Sequence, residues 1–177
     1  HATDQKNFNN ESLVKIIEKD PDSLSTIMVC TKDRANVFAT IIGILDSENI
    51  NFLDAKLFGM KNGFCLDFIT ISNQAGEVIS NNSSVAKSLT IRLKEALDQE
   101  VLSPKIVKRR QPKHLKHFNT DTIIKYKHDM THRWTEVDIK TSDRPGLLAS
   151  ICQVFLDHGA LIRKARIATY GERAEDK

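Results

Sequence analysis

The chain has 177 residues, enough for two small domains with modest cores, and its 28% charged and 40% hydrophobic content is that of an ordinary globular protein. No apolar run approaches the roughly 20 residues of a membrane span, and the N-terminus lacks a charged-then-apolar secretory pattern. The three cysteines, Cys30, Cys65 and Cys152, contain no C-x-x-C pair, which excludes a disulfide framework or zinc ribbon and points to a reducing, cytoplasmic setting.

Residues 1–25 read as a lead-in to a first domain core over 26–103, which opens with a β-like run at 26–31. Val37, Phe38, Ile41, Ile42, Ile44 and Leu45 then follow the i, i+1, i+4, i+5, i+7, i+8 spacing of one helical face. Leu53, Ala55 and Leu57 alternate as a strand, and Lys61-Asn62-Gly63 predicts a type I′ hairpin joining it to an antiparallel strand over 64–72. Gln74-Ala75-Gly76 closes that strand. Asn82, Ser83 and Ser84 offer caps to a helix carrying Val85, Leu89, Leu93 and Leu97 on one stripe. A further strand, at 105–107 or 120–127, would complete the order βαββαβ: an α+β, ferredoxin-like unit with two helices on one face of a four-stranded antiparallel sheet.

Residues 104–132 read as a basic linker and strand. The net charge is +3, yet residues 101–120 hold six Lys/Arg and no acid: Lys105, Lys108, Arg109, Arg110, Lys113 and Lys116. Such a cluster attracts phosphate or an acidic surface, but a solvated linker broken by Pro104 and Pro112 is the favoured reading.

A second unit follows over 133–177, and it repeats the first at an offset of 110 residues. TKDRANVFATII at 31–42 aligns with TSDRPGLLASIC at 141–152, with five of twelve positions identical. Behind a β-like run at 134–141, Leu147, Leu148, Ile151, Cys152, Val154 and Phe155 reproduce the helical spacing of the first copy. Leu161, Arg163, Ala165 and Ile167 then alternate with Ile162, Lys164 and Arg166 as a strand. This second unit is incomplete, cannot close a sheet alone, and is expected to pair edge to edge with the first, which would cover exposed strand edges. Starting at His1 and stopping at Lys177 after a strand-like stretch, the sequence reads as a piece of something longer.

The repeated strand-to-helix loop carries the candidate chemistry. A helix opening at Pro145-Gly146 presents unpaired N–H groups that suit an α-carboxylate, Gly146 admits a ligand close to the backbone, and Asp143 suits an α-ammonium. The competing reading is that Asp143 caps the helix and Pro145 sits in its first turn. Asp33 and Asn36 are the first-unit counterparts. Catalytic readings fail: His128-Asp129 lacks partner ligands, His114-x-x-His117 lies in the basic tract without a third or fourth metal ligand, and Cys30 and Cys65 fall in predicted strands and Cys152 on an apolar helix face, where thiols are buried and inert. No glycine-rich phosphate loop is present, so the segment reads as non-catalytic.

The string Thr-Ser-Asp-Arg-Pro-Gly-Leu-Leu-Ala, then Ala165-Arg166-Ile167, the G-E-R-x-E-D string at 171–176 and the basic tract RRQPKHLKHF together resemble the tandem ACT domains at the C-terminus of the bacterial protein-PII uridylyltransferase and uridylyl-removing family. DRPGLLA alone specifies the ACT superfamily; the later strings are more specific. In the first unit Ala35-Asn36 replace the family's Pro-Gly, which favours the second unit as the ligand site. The resemblance implies a regulatory sensor whose effector is an amino acid, glutamine, bound by Asp143, Arg144, Pro145, Gly146 and Leu147, with Asp33 and Asn36 in the first unit. It also implies catalytic domains elsewhere in the parent chain, magnesium as their cofactor and none for this segment, the PII signalling protein as partner, and a homodimer through ACT units. Two alternatives use the same βαββαβ order: an RNA-binding domain, for which residues 61–68 resemble an aromatic third-strand motif, and an ACT dimerisation module without ligand. Against RNA, residues 26–30 lack an aromatic stacking partner and Asp67 sets a negative charge beside the bases.

Overall fold

The computed structural model describes residues 11–18, 24–102, 121–142 and 146–166. In chain order they form β1 Leu13–Glu18, β2 Ser25–Lys32, α1 Val37–Ser47, β3 Asn51–Gly59, β4 Phe64–Ser72, α2 Ser84–Leu97, β5 Ile123–Asp129, β6 Trp134–Lys140, α3 Leu147–Asp157 and β7 Lys164–Arg166. One antiparallel sheet runs β1-β2-β4-β3-β7, while β5 and β6 pair as a separate two-stranded sheet. The fold is α+β, as the sequence predicts. Among the described residues no helix is long and apolar enough to cross a membrane.

The sheet takes its form from period-two burial. Ser25, Ile27, Val29 and Thr31 of β2 and Cys65, Asp67, Ile69 and Ile71 of β4 alternate with half-buried neighbours and face the helices. α1 is buried nearly all round because it is wedged between β3, α2 and α3. The α2 face is Ala86, Leu89, Leu93 and Leu97, not the stripe beginning at Val85, which is 50% exposed. Steps of four residues drift about 40° each on a helix of 3.6 residues per turn, so Val85 lies far off the face that Leu97 occupies. Each of the three leucines, at 1% exposure or less, contributes roughly 1.5–3 kcal/mol by leaving water.

Two further expectations are corrected. The β3–β4 connection is a four-residue loop in which Gly63 alone has positive φ, at 78°, with Gly63 N donating to Met60 O at 3.3 Å. A type I′ turn would need two such residues, so this hairpin is of the longer class with a left-handed glycine at its end. The strand beside β2 is also not the one expected. Residues 105–107 lie outside the described residues, and 120–127 fall largely in β5, which pairs with β6.

The place is taken by β1, from the segment read as lead-in, whose Val14 and Ile16 are buried at 8% and 6% exposure. β1 is anchored at its start: Ser12 N donates to Asp98 Oδ1 at 2.6 Å, and Ser12 Oγ lies 2.7 Å from Thr31 Oγ1. The repeat therefore begins one strand earlier than the motif alone suggests. Leu13 pairs with Cys30 in β1–β2, and Ile123 with Lys140 in β5–β6, both partners shifted by the same 110 residues.

The two units meet edge to edge. β7 pairs antiparallel with β3, with Ala55 opposite Ala165, Asp54 opposite Arg166 and Lys56 opposite Lys164, so residue 55 faces its own counterpart across a local pseudo-two-fold axis. Arg166 Nε lies 3.5 Å from Asp54 Oδ1, and α3 packs on α1 above this seam. The helix ends repeat as well: Thr40 N donates to Asn36 O at 2.8 Å and Ser150 N to Gly146 O at 2.9 Å. Burial does not repeat. On α3 only Ala149 and Cys152 are buried, and in the hairpin Tyr126 and Trp134 are 80% and 50% exposed.

An isolated two-stranded hairpin is marginal in water. Amide hydrogen exchange of this chain is expected to leave β2, β4 and α2 protected at least a hundredfold more than β5 and β6. Equal protection in the two sheets would contradict this reading of the fold.

Candidate functional site

The β2–α1 loop, residues 33–36, is fixed at both ends. Asp33 N donates to Gly63 O at 2.9 Å, and Asn36, the N-cap of α1, takes a left-handed conformation at φ 74°, ψ −2°. Gly146 does the same at the start of α3, at φ 76°, ψ 7°. Asparagine tolerates this region better than most residues, so Asn36 preserves the backbone that glycine gives the second copy. Its side chain donates to Leu102 O at 3.0 Å and does not cap α1. Asp33, three residues earlier, is not the N-cap of α1, a position that belongs to Asn36; α3 has Gly146 as its N-cap and begins at Leu147.

Behind the loop lies a cavity of about 110 Å³, small against the roughly 300–1,000 Å³ of clefts that take drug-sized ligands. The first unit lines it with residues 33–39, Leu57, Phe58, Gly59, Cys65 and Asp67, and the second with Cys152, Leu156 and residues 160–163. Gly59 is where the walls converge. A Cβ there would sit 3.0 Å from Asp33 Oδ2 and 3.4 Å from Arg163 Nη1, so the bare backbone lets an exposed carboxylate of one unit and an exposed guanidinium of the other flank one point.

Arg34 is largely committed elsewhere. Its Nη1 donates to Glu100 O at 2.8 Å and its Nη2 to Leu97 O at 2.5 Å, placing a cation at the C-terminus of α2, where the dipole favours one. Its buried Nε has no partner in the protein. At the other pole, Asp67 is 3% exposed and its Oδ1 also lacks a partner, while Oδ2 lies 3.9 Å from Cys65 Sγ. Burial pushes the Asp67 carboxyl up to about 6, and the charge of Asp33 adds to the rise against hydrogen bonds from the Phe58 backbone and the Cys65 thiol. Burial first, then Asp67 and Asp33, push the Cys65 thiol up to about 12, and burial does the same to Cys152, so neither is a nucleophile at neutral pH. Among the described residues no group of three or more His, Cys, Asp or Glu is placed to hold a metal ion.

Of the sequence-derived site residues, Asp33 and Asn36 line this cavity. Gly146 and Leu147 hold the counterpart position at the start of α3, and Asp143, Arg144 and Pro145 lie outside the described residues. The basic tract with His114 and His117 does too. His128 and Asp129 sit in β5, where His128 Nδ1 lies 2.9 Å from Thr135 Oγ1 and Asp129 accepts from the backbone of Thr131 and His132. Sequence reasoning missed Gly59, Asp67 and Arg163 as site residues. Asp67 left a readable signal, a charge interrupting the buried row of Cys65, Ile69 and Ile71; Arg163 left none until the seam between units is built.

No protein-family model and no solved structure matches the chain significantly. Curated relatives do. A bifunctional uridylyltransferase/uridylyl-removing enzyme of Psychrobacter sp. (strain PRwf-1) is 36% identical over 170 residues, 95% of this chain and 19% of its own length. The enzymes of the same description from Psychrobacter arcticus and Acinetobacter baumannii are each 34% identical over 150 residues, 85% of this chain and 16% and 17% of theirs. The chain thus spans less than a fifth of the relatives it matches.

The lone acid gives a testable sign. Its folded pKa lies above the ordinary 3.8, so the stability tied to its neutral form is full below about pH 4 and lost as pH rises through about 6. Asp67→Asn is expected to stabilise the protein at pH 7.5 by on the order of 2 kcal/mol and to flatten the pH dependence of the urea midpoint over that window. A variant with an unchanged slope would show that Asp67 does not titrate there.

Proposed function

We propose that this chain, homologous over most of its length to a segment of the bifunctional uridylyltransferase/uridylyl-removing enzymes, is a glutamine-sensing ACT module that controls such an enzyme. The observation that carries this reading is the cavity built jointly by both units, with an exposed carboxylate and an exposed guanidinium at Gly59 and an orphan donor and acceptor among its lining residues. That polarity suits a zwitterion: ammonium toward Asp33, carboxylate toward Arg163 and the start of α1, where Asn36 shapes the backbone. In this reading the repeated loop of the second unit, Asp143, Arg144, Pro145, Gly146 and Leu147, is the counterpart site.

An effector shifts a regulatory equilibrium only by binding one arrangement better than another, and a ligand at the seam between units has that property. In this reading high glutamine favours uridylyl removal over uridylyl transfer on the PII signalling protein, the work of catalytic domains elsewhere in the parent chain, which magnesium serves. The free thiols suit the reducing cytoplasm. Because β7 already pairs with the outer edge of β3, a homodimer of this chain would form through another surface.

Calorimetry with glutamine, glutamate and leucine tests the reading. Glutamine is expected to bind, and Asp33→Ala to weaken it at least tenfold, the loss of a charged hydrogen bond. Asp143→Ala and Gly146→Val, in the same titration, report on the counterpart site. Absence of glutamine binding both to this chain and to a longer protein containing it would overturn the proposal.

A further inference from the structure

Asp67 is a costly residue to keep. It stands on the helix-facing row of β4, flanked by Val29 and Leu57 on the neighbouring strands, at a position where the row otherwise buries Cys65, Ile69 and Ile71. An isosteric apolar residue would satisfy the sheet, whereas the carboxyl leaves a buried oxygen unpaired. It lines the cavity from a buried position, while Asp33, which also lines it, is exposed to solvent.

We infer that Asp67 is the specificity residue of the cavity: its carboxylate accepts a hydrogen bond from the far end of an amino-acid ligand, so the site selects a side chain ending in N–H donors, such as a carboxamide, over one ending in a carboxylate. This rests on the amino-acid-binding reading above and adds to it the group that reads the side chain. Held by its α-ammonium and α-carboxylate at Asp33 and Arg163, a ligand of glutamine length directs its terminal group inward. A carboxamide there donates to Asp67 Oδ1; a carboxylate meets a second carboxylate, and one of the two must take up a proton or stay out. Among the described residues no other acid lies at that depth. The ionisable groups sharing the cavity are Asp33 and Arg34 of the loop, Cys65 on Asp67's own strand, Cys152 of α3 and Arg163 of the second unit. β3 and the first turn of α1 present none there.

The selectivity therefore depends on pH. Burial already holds the Asp67 carboxyl high, so lowering the pH through about 6 converts it to a donor that tolerates a carboxylate ligand. Titration calorimetry of this chain with glutamine and glutamate, at pH 7.5 and pH 5, is the test. At pH 7.5 the wild type is expected to favour glutamine at least tenfold. Asp67→Asn, close in size and free of charge, is expected to reduce that preference below threefold, with glutamate binding gained rather than glutamine binding merely lost. The wild type at pH 5 is expected to shift the same way without any mutation, which guards against a variant that folds poorly. A preference retained in Asp67→Asn and unchanged at pH 5, while glutamine still binds, overturns this inference and leaves the sensor reading intact. Wild-type protein that binds neither amino acid, both as this chain and within a longer protein containing it, overturns both.

Discussion

Everything distinctive about this molecule hangs on three residue pairs, β3 against β7 centred on Ala55 opposite Ala165. Small side chains at that crossing leave room for α1 and α3 to lie side by side above the seam, and Ala55 is fully buried beneath them. The register has no slack. A slip of one residue would turn the faces of β7 over and carry the 160–163 connection away from the wall it forms. The cavity is a property of the seam, not of either unit, since both contribute its walls.

Much of this was legible in sequence because it is local. β4 falls on residues 64–72, where the turn at 61–63 puts it, and both α1 and α3 form where helical spacing marks them, although α1 is buried nearly all round and α3 buries Ala149 and Cys152 while Val154 of the expected face is exposed. What was not legible is non-local. β1 is a six-residue run, LVKIIE, too short and too weakly alternating to announce that it replaces a C-terminal edge strand. Its role emerges only when Leu13–Cys30 and Ile123–Lys140 prove to be the same pair displaced by the repeat. Asn36 misled in another way. Judged by residue type it departs from glycine, yet judged by φ it is the same joint, since the loop selects a left-handed backbone and asparagine complies.

The contrast between the units is one of coverage. The first unit closes α1 and α2 over a sheet whose central strands are buried, whereas the second unit adds only the three residues of β7 to that sheet, and its α3 keeps Val154 57% exposed. Buried apolar area is therefore concentrated on one side of the seam. Within that side, Asp67 and the Arg34 Nε are concessions: buried polar atoms that folding alone would pair or remove. Concessions of this kind cluster where a protein has something to bind.

The anchoring of β1 has a mechanical side. The strand enters the sheet at Ser12, whose hydroxyl is bonded to Thr31 of β2, two residues before Asp33 of the loop. A load on the chain ahead of Ser12 runs along the β1–β2 ladder in shear, the direction in which many hydrogen bonds share the force. Its first point of delivery is the hydroxyl pair beside the loop, and through Asp98 the same anchor reaches the end of α2 that Arg34 grips. Tension arriving from upstream and a molecule seated at Gly59 thus act on opposite ends of one short stretch of backbone, like a tether and a latch on the same hinge.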